Sequence, residues 1–312
     1  MGTQGFSPRT RSDAQLIRFG ERAGRVNVRG TRAGVPLELE VTLASGEGKH
    51  ARLNGATLRS AEQLRAEAAT LVFTPDRLGV VKGGPAVRRA YFDRVAGRLA
   101  PARAGLSAEY GAAVGQRNAA LRRIAAGFSG RDALEPWTAR VVELGAELVT
   151  ARQDALALLR LPFADHADGL GLTEADLRYD GEPPTREALD ARVDADLARG
   201  ATGLGPHLDD IVLSAGAREL RTYGSQGEQR LALLALLLAE ADLLADRRGT
   251  APLLLLDDVL SELDPTRRRA LADRVARAGQ AVVTATDAAM LPGEPDQLLD
   301  VSPGEVHDRT PR

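Results

Sequence analysis

No cysteine occurs among the 312 residues. Disulfides, thiolate zinc sites and cysteine nucleophiles are excluded together, and the absence fits a reducing compartment. Long apolar runs are also missing. Those of the final third are broken by Glu240 and Asp242 or end at Asp257, short of the roughly 20 apolar residues of a membrane span. The N-terminus, MGTQGFSPRT, lacks the basic-then-apolar layout of a secretory signal. The expectation is a cytoplasmic protein with no membrane partner. The net charge is only -2, so any affinity for nucleic acid must come from a local patch. No internal repeat or low-complexity tract is present.

What is present describes a globular chain, with 44% hydrophobic and 27% charged residues. Its length suits one large domain or two smaller ones. Early on, Val35, Leu37, Leu39, Val41 and Leu43 alternate with Pro36, Glu38, Glu40 and Thr42, the period of a half-buried strand. Asn54-Gly55 marks a tight hairpin turn. Ser60 followed by Gln63 reads as a capping box for a helix. The middle is helical, starting after Gly83-Gly84-Pro85. One apolar stripe uses Tyr110, Val114, Leu121, Ile124 and Phe128; another uses Trp137, Val141, Leu144, Leu148, Ala151, Ala155 and Leu158. The second stripe makes a seam for packing against a partner helix. A further helix is expected from Arg186 to Arg199. The final third returns to α/β: "HLDDIVLSAGAREL" reads as a hairpin, and a long apolar helix spans about Gln226 to Ala245. A strand at Leu253 to Leu256, a helix begun by Asp264-Pro265 and a strand at Ala281 to Thr284 then form a parallel βαβ unit.

Three motifs carry chemistry. In "PLLLLDDVLSELD", Pro252 to Asp264, four leucines precede two carboxylates. A strand covered on both faces of a parallel sheet has this composition, and such sheets bind ligands beyond the carboxyl ends of their strands. Asp257 therefore stands where Mg²⁺ would be held beside a nucleotide, and Asp258 where a carboxylate could orient water. In "YGSQGEQRLALLALLLAE", Tyr223 to Glu240, a Ser-Gln-Gly turn opens a helix whose free amides face any anion placed there. In "VVTATD", Val282 to Asp287, the strand ends at Thr286 and Asp287; a plain helix N-cap at Asp287 accounts for the same residues. Arginines dominate from Lys82 to Arg160, and acids from Asp165 to Asp196. Two solvated helical faces explain this pattern. The alternative is a basic surface for phosphate backbones, with Lys82, Arg88, Arg89, Arg122 and Arg123 as its candidates.

Together, "GSQGEQR", "GPHLDDI", "LLLLDDVLSELD" and "VVTATD" resemble the C-terminal half of the RecF family. "AQLIRFG", "LVFTPDRLGVVKGGPAVRRAYFD" and "EYGAAVGQRNAALRRI" agree with its N-terminal part, so the resemblance runs in order from about Gly5 to Asp287. It implies an α/β fold: an ABC-type ATPase head of mixed sheet and helices, built from both chain ends, with an inserted helical lobe. The expected division is 1–93, 94–200 and 201–312. The function it implies is that of an ATP-dependent recombination mediator. RecF proteins bind single-stranded and gapped duplex DNA, dimerise on ATP, work with RecO and RecR to load RecA, and serve replication and the SOS response. Carried over by position, Asp257 would serve Mg²⁺ and Asp258 would be the catalytic carboxylate. Ser225, Gln226 and Gly227 would touch the γ-phosphate of the partner's ATP, Asp264 would communicate across the homodimer, and Thr286 and Asp287 would occupy the γ-phosphate sensor position.

Two departures stand out. No G-x-x-x-x-G-K-[ST] phosphate loop occurs in the chain. The nearest approximation, "ASGEGKH", has Leu43 in place of the first glycine and His50 in place of the magnesium-binding hydroxyl. The resemblance places the loop upstream of Met1, with roughly 30 residues missing, about one βαβ unit. The second departure is Leu208 in "GPHLDD", where the family usually has arginine. A full-length ATPase is then the expectation for the gene, and a catalytically inert DNA- or partner-binding module is the alternative. An ABC transporter ATPase is disfavoured by the middle helices. Without the lysine and amides of the loop, which carry much of the electrostatic stabilisation in phosphoryl transfer, the chain starting at Met1 is expected to hydrolyse ATP weakly or not at all. Phosphate-release kinetics check this, and robust turnover would overturn it.

Overall fold

A computed structural model describes Thr3, Ser7 and residues 12–45, 48–58, 63, 64 and 67–310. The expected capping box at Ser60 lies outside the described residues. The chain divides into two units, one of residues 1–75 with 250–312 and the other of residues 76–249. The first is thus built from both chain ends, as expected. Its boundaries differ from those read off the sequence: the segment 201–249, assigned to the C-terminal half of the head, belongs to the helical unit.

In the first unit, β1 (Ala23–Arg32), β2 (Val35–Ala44), β3 (Gly48–Leu53) and β4 (Ala56–Leu58) form an antiparallel meander. The alternation in β2 is realised: Leu39, Val41 and Leu43 are buried and pack with Leu64, while Glu38 and Glu40 face arginines of neighbouring strands. The β3–β4 turn needs two left-handed residues, and Asn54 and Gly55 supply them at φ 46° and 83°. Asn54 Oδ1 also accepts the Glu38 amide at 2.7 Å, tying the turn to β2.

The second sheet of this unit is parallel, in the order β10-β9-β5, from β5 (Thr70–Phe73), β9 (Leu253–Leu256) and β10 (Ala281–Val283). Helix α9 (Pro265–Arg277) crosses from β9 to β10, completing the expected βαβ unit. Leu254 and Leu256 are buried, but Leu253 and Leu255 are only half-buried, so the leucine run is not sealed on both faces. The antiparallel pair β11 (Leu299–Ser302) and β12 (Glu305–Asp308) follows.

The second unit is mainly helical. α1 (Gly79–Lys82) precedes α2 (Pro85–Leu99), α3 (Leu106–Ala125) and α4 (Glu135–Gly169). The seam on α4 is buried at Val141, Leu144, Leu148, Ala151 and Ala155, against Leu106, Tyr110 and Val114 of α3. The stripes end sooner than their sequence periodicity suggests. Phe128 lies beyond α3 and is exposed, as is Leu158 at the end of the α4 series. The single helix expected over 186–199 is two, α5 (Arg186–Asp190) and α6 (Val193–Arg199). Between β6 (Ala175–Asp180) and β8 (Arg218–Glu219) runs β7 (Asp210–Ala215), pairing antiparallel with both. A short α7 (Leu220–Tyr223) leads into α8 (Gln226–Arg248), whose residues 229–241 are all buried.

Buried arginines join these helices. Arg117 of α3 is fully buried and donates from Nη1 to Asp196 of α6 at 2.7 Å and to Thr202 at 2.9 Å. Arg152 of α4 grips both oxygens of Asp93 on α2 at 2.7 and 3.0 Å, and donates to the Pro206 carbonyl at 2.6 Å. Removing one partner of a buried pair leaves an uncompensated charge. Arg117→Met is therefore expected to destabilise the full chain by about 3–5 kcal/mol, with partial recovery on adding Asp196→Leu. Urea unfolding checks this; an unchanged midpoint for Arg117→Met would show that Asp196 finds another partner.

Candidate functional site

The parallel register of β9 and β10 pairs Leu256 with Val283, so the next residues of both strands emerge side by side at the carboxyl edge. Asp257 keeps its amide in the ladder, donating to the Phe73 carbonyl at 3.0 Å, while the Thr284 amide donates to Leu256 at 3.0 Å. The Thr284 hydroxyl donates to Asp257 Oδ1 at 2.7 Å and accepts the Asp258 amide at 3.0 Å. One hydroxyl thus links both aspartates. Asp258 has φ 49°, a conformation that costs a non-glycine residue about 1–2 kcal/mol. Ser261 Oγ supports it, lying 3.1 Å from Asp258 Oδ2 and 3.3 Å from the Asp258 carbonyl.

Asp257, Asp258 and Thr284 offer oxygen donors only. That chemistry suits a hard cation such as Mg²⁺, which takes one or two carboxylates and fills its remaining positions with water and phosphate oxygens. No group of three or more metal-ligating His, Asp or Glu side chains occurs among the described residues. The protein side therefore matches an open site completed by a ligand, not a closed cage.

Asp264 sits seven residues on, as the N-cap of α9. Its Oδ1 accepts the Arg267 amide at 3.0 Å, and this bond, aided by the Arg267 charge, holds the carboxyl below the usual aspartate range. Asp287 caps a short 3₁₀ turn through the Ala289 amide at 2.9 Å, the plain role open to it from the sequence. Thr286 is exposed beside it. Thr284 therefore touches Asp257, and sequence reasoning missed it. The available signal was its position one residue past β10, level with Asp257 one residue past β9.

In the other unit, the expected anion-facing turn is a capped helix start. Ser225 Oγ accepts the Glu228 amide at 3.2 Å, and Glu228 Oε2 accepts the Ser225 amide at 2.8 Å, a full capping box. Hydrogen bonds from the Ser225 amide and then the Ser225 hydroxyl, with the 3.0 Å Arg218 ion pair, depress the Glu228 carboxyl. The Ser225 hydroxyl accepts the Glu228 amide and also bonds to the Glu228 carboxylate, so the cap engages both of its roles. Ser225 and Gln226 are exposed. A Cβ on Gly227 would meet only Ser225 Oγ, at 3.9 Å; the fold does not demand glycine there, whereas close approach of a ligand to the backbone would.

The basic surface needs correction. Arg88 is 1% exposed: its Nε and Nη2 grip the two oxygens of Asp210 at 2.7 and 2.6 Å, and Nη1 donates to Gly83 O at 2.7 Å. It is a structural cation and cannot meet DNA. Arg89 is half-buried and donates to the Asp209 carbonyl at 2.6 Å; burial, then Arg152, lowers its pKa. Lys82, Arg122 and Arg123 are exposed. Arg122 reaches Gly200 O and Arg123 reaches Ser129, both at a long 3.4 Å. In "GPHLDD", Gly205 takes φ 126°, and a Cβ there would lie 2.4 Å from the Tyr110 hydroxyl, so this glycine is required. Leu208 is 55% exposed, so the leucine is not a core residue.

The βαβ unit with carboxylates at its sheet edge, in a unit drawn from both chain ends, defines an ABC-type ATPase head. A solved structure of the SmcHead bound to the C-winged helix domain of ScpA shares this fold at TM-score 0.54 and 14% identity, covering 97% of this chain and 80% of that one. A structure of "the recombination mediator protein RecF-ATP in RecFOR pathway" is similar at TM-score 0.83 and 25% identity, covering 98% and 85%. The DNA replication and repair protein RecF of Heliobacterium modesticaldum is 36% identical over 281 residues, 86% of this chain and 75% of that protein. That of Anaeromyxobacter dehalogenans is 39% identical over 299 residues, 88% and 77%. No family model matches the chain. The chain belongs to the RecF family of DNA replication and repair proteins.

Thr284→Val keeps the shape of the threonine and removes its hydroxyl. Net loss of about 1 kcal/mol per hydrogen bond is expected, so two lost bonds should lower the stability of the chain by about 2 kcal/mol, with Thr284→Ser restoring most of it. Thermal or urea unfolding of the three proteins checks this. Equal stability of wild type and Thr284→Val would remove Thr284 from the cluster.

Proposed function

We propose that this chain acts in DNA replication and repair as a DNA-binding recombination mediator, engaging single-strand gaps and working with RecO and RecR to load RecA. Family membership supports the role. The observation that carries a nucleotide-linked mechanism is the Asp257–Thr284–Asp258 cluster at the edge of a parallel sheet. In this reading Asp257 would hold Mg²⁺ on the phosphates of ATP, and Asp258 would serve as the catalytic carboxylate. Ser225, Gln226 and Gly227 at the start of α8 meet the γ-phosphate held by a second copy, through the Gln226 and Gly227 amides rather than the Ser225 amide that Glu228 already takes, which makes dimerisation ATP-dependent. In the same reading Asp264 at the start of α9 communicates across the homodimer, and Thr286 and Asp287 after β10 occupy the γ-phosphate sensor position. A bound Mg–nucleotide would supply concentrated negative charge; the chain's own residues supply the fixed dipoles and carboxylates that orient it. The relatives solved with ATP make this the natural ligand to test.

DNA binding in this reading rests on exposed cations, with Lys82, Arg122 and Arg123 first. Among the described residues no helix is long and apolar enough to cross a membrane, and we place the protein in the cytoplasm with the chromosome.

The test is binding of a fluorescent gapped duplex, against intact duplex and single strands, over a range of salt. Gapped DNA should bind more tightly than intact duplex. Arg122→Gln with Arg123→Gln should lower the slope of log K against log salt by about 0.7–0.9 per lost phosphate contact. No preference for gaps would sink the mediator reading, and an unchanged slope would return both arginines to a merely solvated face.

A further inference from the structure

A second charged cluster lies on the flank of α8, about 22 Å along the helix from Ser225 at 1.5 Å per residue. Its centre is Glu240, 1% exposed. Glu240 Oε2 accepts the Tyr91 hydroxyl at 3.1 Å, and Oε1 pairs with Arg98 Nη2 at 2.5 Å. Tyr91 is buried edge-on against Phe92, with ring centroids 5.3 Å apart. Arg94 stands one turn before Arg98 on α2, so the two guanidiniums share a helix face. Arg77 joins them from the 3₁₀ turn Pro75–Leu78, close enough to feel Arg98, Arg94 and Glu240.

The charges in this cluster do not balance. Arg77, Arg94 and Arg98 share one buried carboxylate. The next acid, Asp93, is held by Arg152 through both oxygens and by the Ser107 hydroxyl. Neither Arg77 nor Arg94 makes an ion pair or hydrogen bond among the described residues, and the Nε–H of Arg98 is buried without an acceptor. Arg77 is half-buried and Arg94 exposed at its rim; partial desolvation first, and then neighbouring guanidiniums, lowers the pKa of both. Both remain charged, because an arginine does not deprotonate in this range. Elsewhere in this unit the buried Arg88, Arg117 and Arg152 each meet their own carboxylate. Cations gathered around too few acids are the arrangement that an oxyanion completes, since phosphate accepts several planar guanidinium forks at once.

We infer that Arg77, Arg94 and Arg98 form a phosphate-binding site whose ligand is a backbone phosphate of DNA. Glu240 and Tyr91 anchor Arg98 from the interior and leave the two unpaired guanidiniums for the ligand. The identity of the ligand rests on the DNA-binding reading above; the oxyanion site does not. It extends the contact surface to α2 and the Pro75–Leu78 turn, residues outside the Lys82, Arg122 and Arg123 set.

The test uses the full chain with Arg77→Gln and Arg94→Gln together, which leaves the Arg98–Glu240 pair intact. Arg140→Gln with Arg160→Gln is the charge-matched control, because those exposed arginines already pair with Glu143 and Asp176. The cluster variant should lower the slope of log K for gapped DNA against log salt by about 1–2, and the control should leave it unchanged. In parallel, inorganic phosphate should raise the melting temperature of wild type more than that of the cluster variant. If wild type binds DNA and the cluster variant keeps its slope, DNA is not the ligand. If wild type fails to bind DNA, the function proposed above fails, and the phosphate titration decides the site alone. Equal phosphate stabilisation of wild type and variant overturns the site, and stabilisation by poly-glutamate but not by phosphate would reassign it to an acidic peptide.

Discussion

A guanidinium taken out of water has to bring an acid with it, and the helical unit is arranged around that requirement. Arg88 binds α2 to β7 through Asp210, and Arg152 binds α4 to α2 through Asp93. Arg117 binds α3 to α6 through Asp196, and Arg98 binds α2 to α8 through Glu240. Each pair joins elements far apart in the chain. An apolar pair of similar volume often stabilises a core as well or better. We therefore read the contribution of these pairs as registry. Only one sliding position of each helix brings the fork onto its carboxylate, and the apolar seam of α4 alone would tolerate several.

This registry fixes α8, and α8 carries the candidate anion-facing turn at its first residue. Its alanines and leucines pack on all sides, a surface with little to resist rotation or a one-turn slip. Glu240, through Arg98 and Tyr91, and Gln229, whose Nε2 donates to the Leu220 carbonyl at 2.9 Å, pin it at two points. In the sheet unit, backbone pairing does the same work. Asp257 and Thr284 meet because β9 and β10 are parallel and in one register; a slip by one residue would turn either side chain to the opposite face. Charge positions one half of the candidate machinery, and the hydrogen-bond ladder positions the other.

The same division explains what was legible in the sequence. Local patterns were legible: the alternation in β2, the Asn54-Gly55 turn, the Ser225 cap and the βαβ unit ending at Asp257 all rest on neighbours within a few residues. Features that depend on distant partners were not. Arg88 lies in an arginine-rich stretch that reads as a solvated face, and its burial follows from Asp210, 122 residues away. Thr284 gains its role only from strand register. The 186–199 helix carries no proline or glycine to announce the break between α5 and α6. The division at 201 placed α8 with the head because its motif sequence resembles a head, although its packing surface is helical. The local run of arginines left a basic surface open as the alternative to a solvated face and gave no way to tell a paired interior cation from an exposed one.

Asp258 is where these two kinds of constraint oppose each other. Successive residues of an extended strand point to opposite faces, so a doublet of acids cannot serve one site while the strand continues. The chain must leave the β conformation between them, and it does so at Asp258, with φ 49°. Glycine or asparagine would accept that conformation more readily, but glycine would remove the second carboxylate and asparagine its charge. The conformational cost is met locally: the Asp258 amide is satisfied by Thr284, and its carboxylate and carbonyl lie within reach of Ser261. Ala33 and Glu174 take similar angles, so the conformation by itself marks only a turn; what sets Asp258 apart is that two side chains hold it beyond the sheet edge, beside Asp257. The turn at Asp258 thus adds a geometric argument to the motif for the proposed role of its carboxylate.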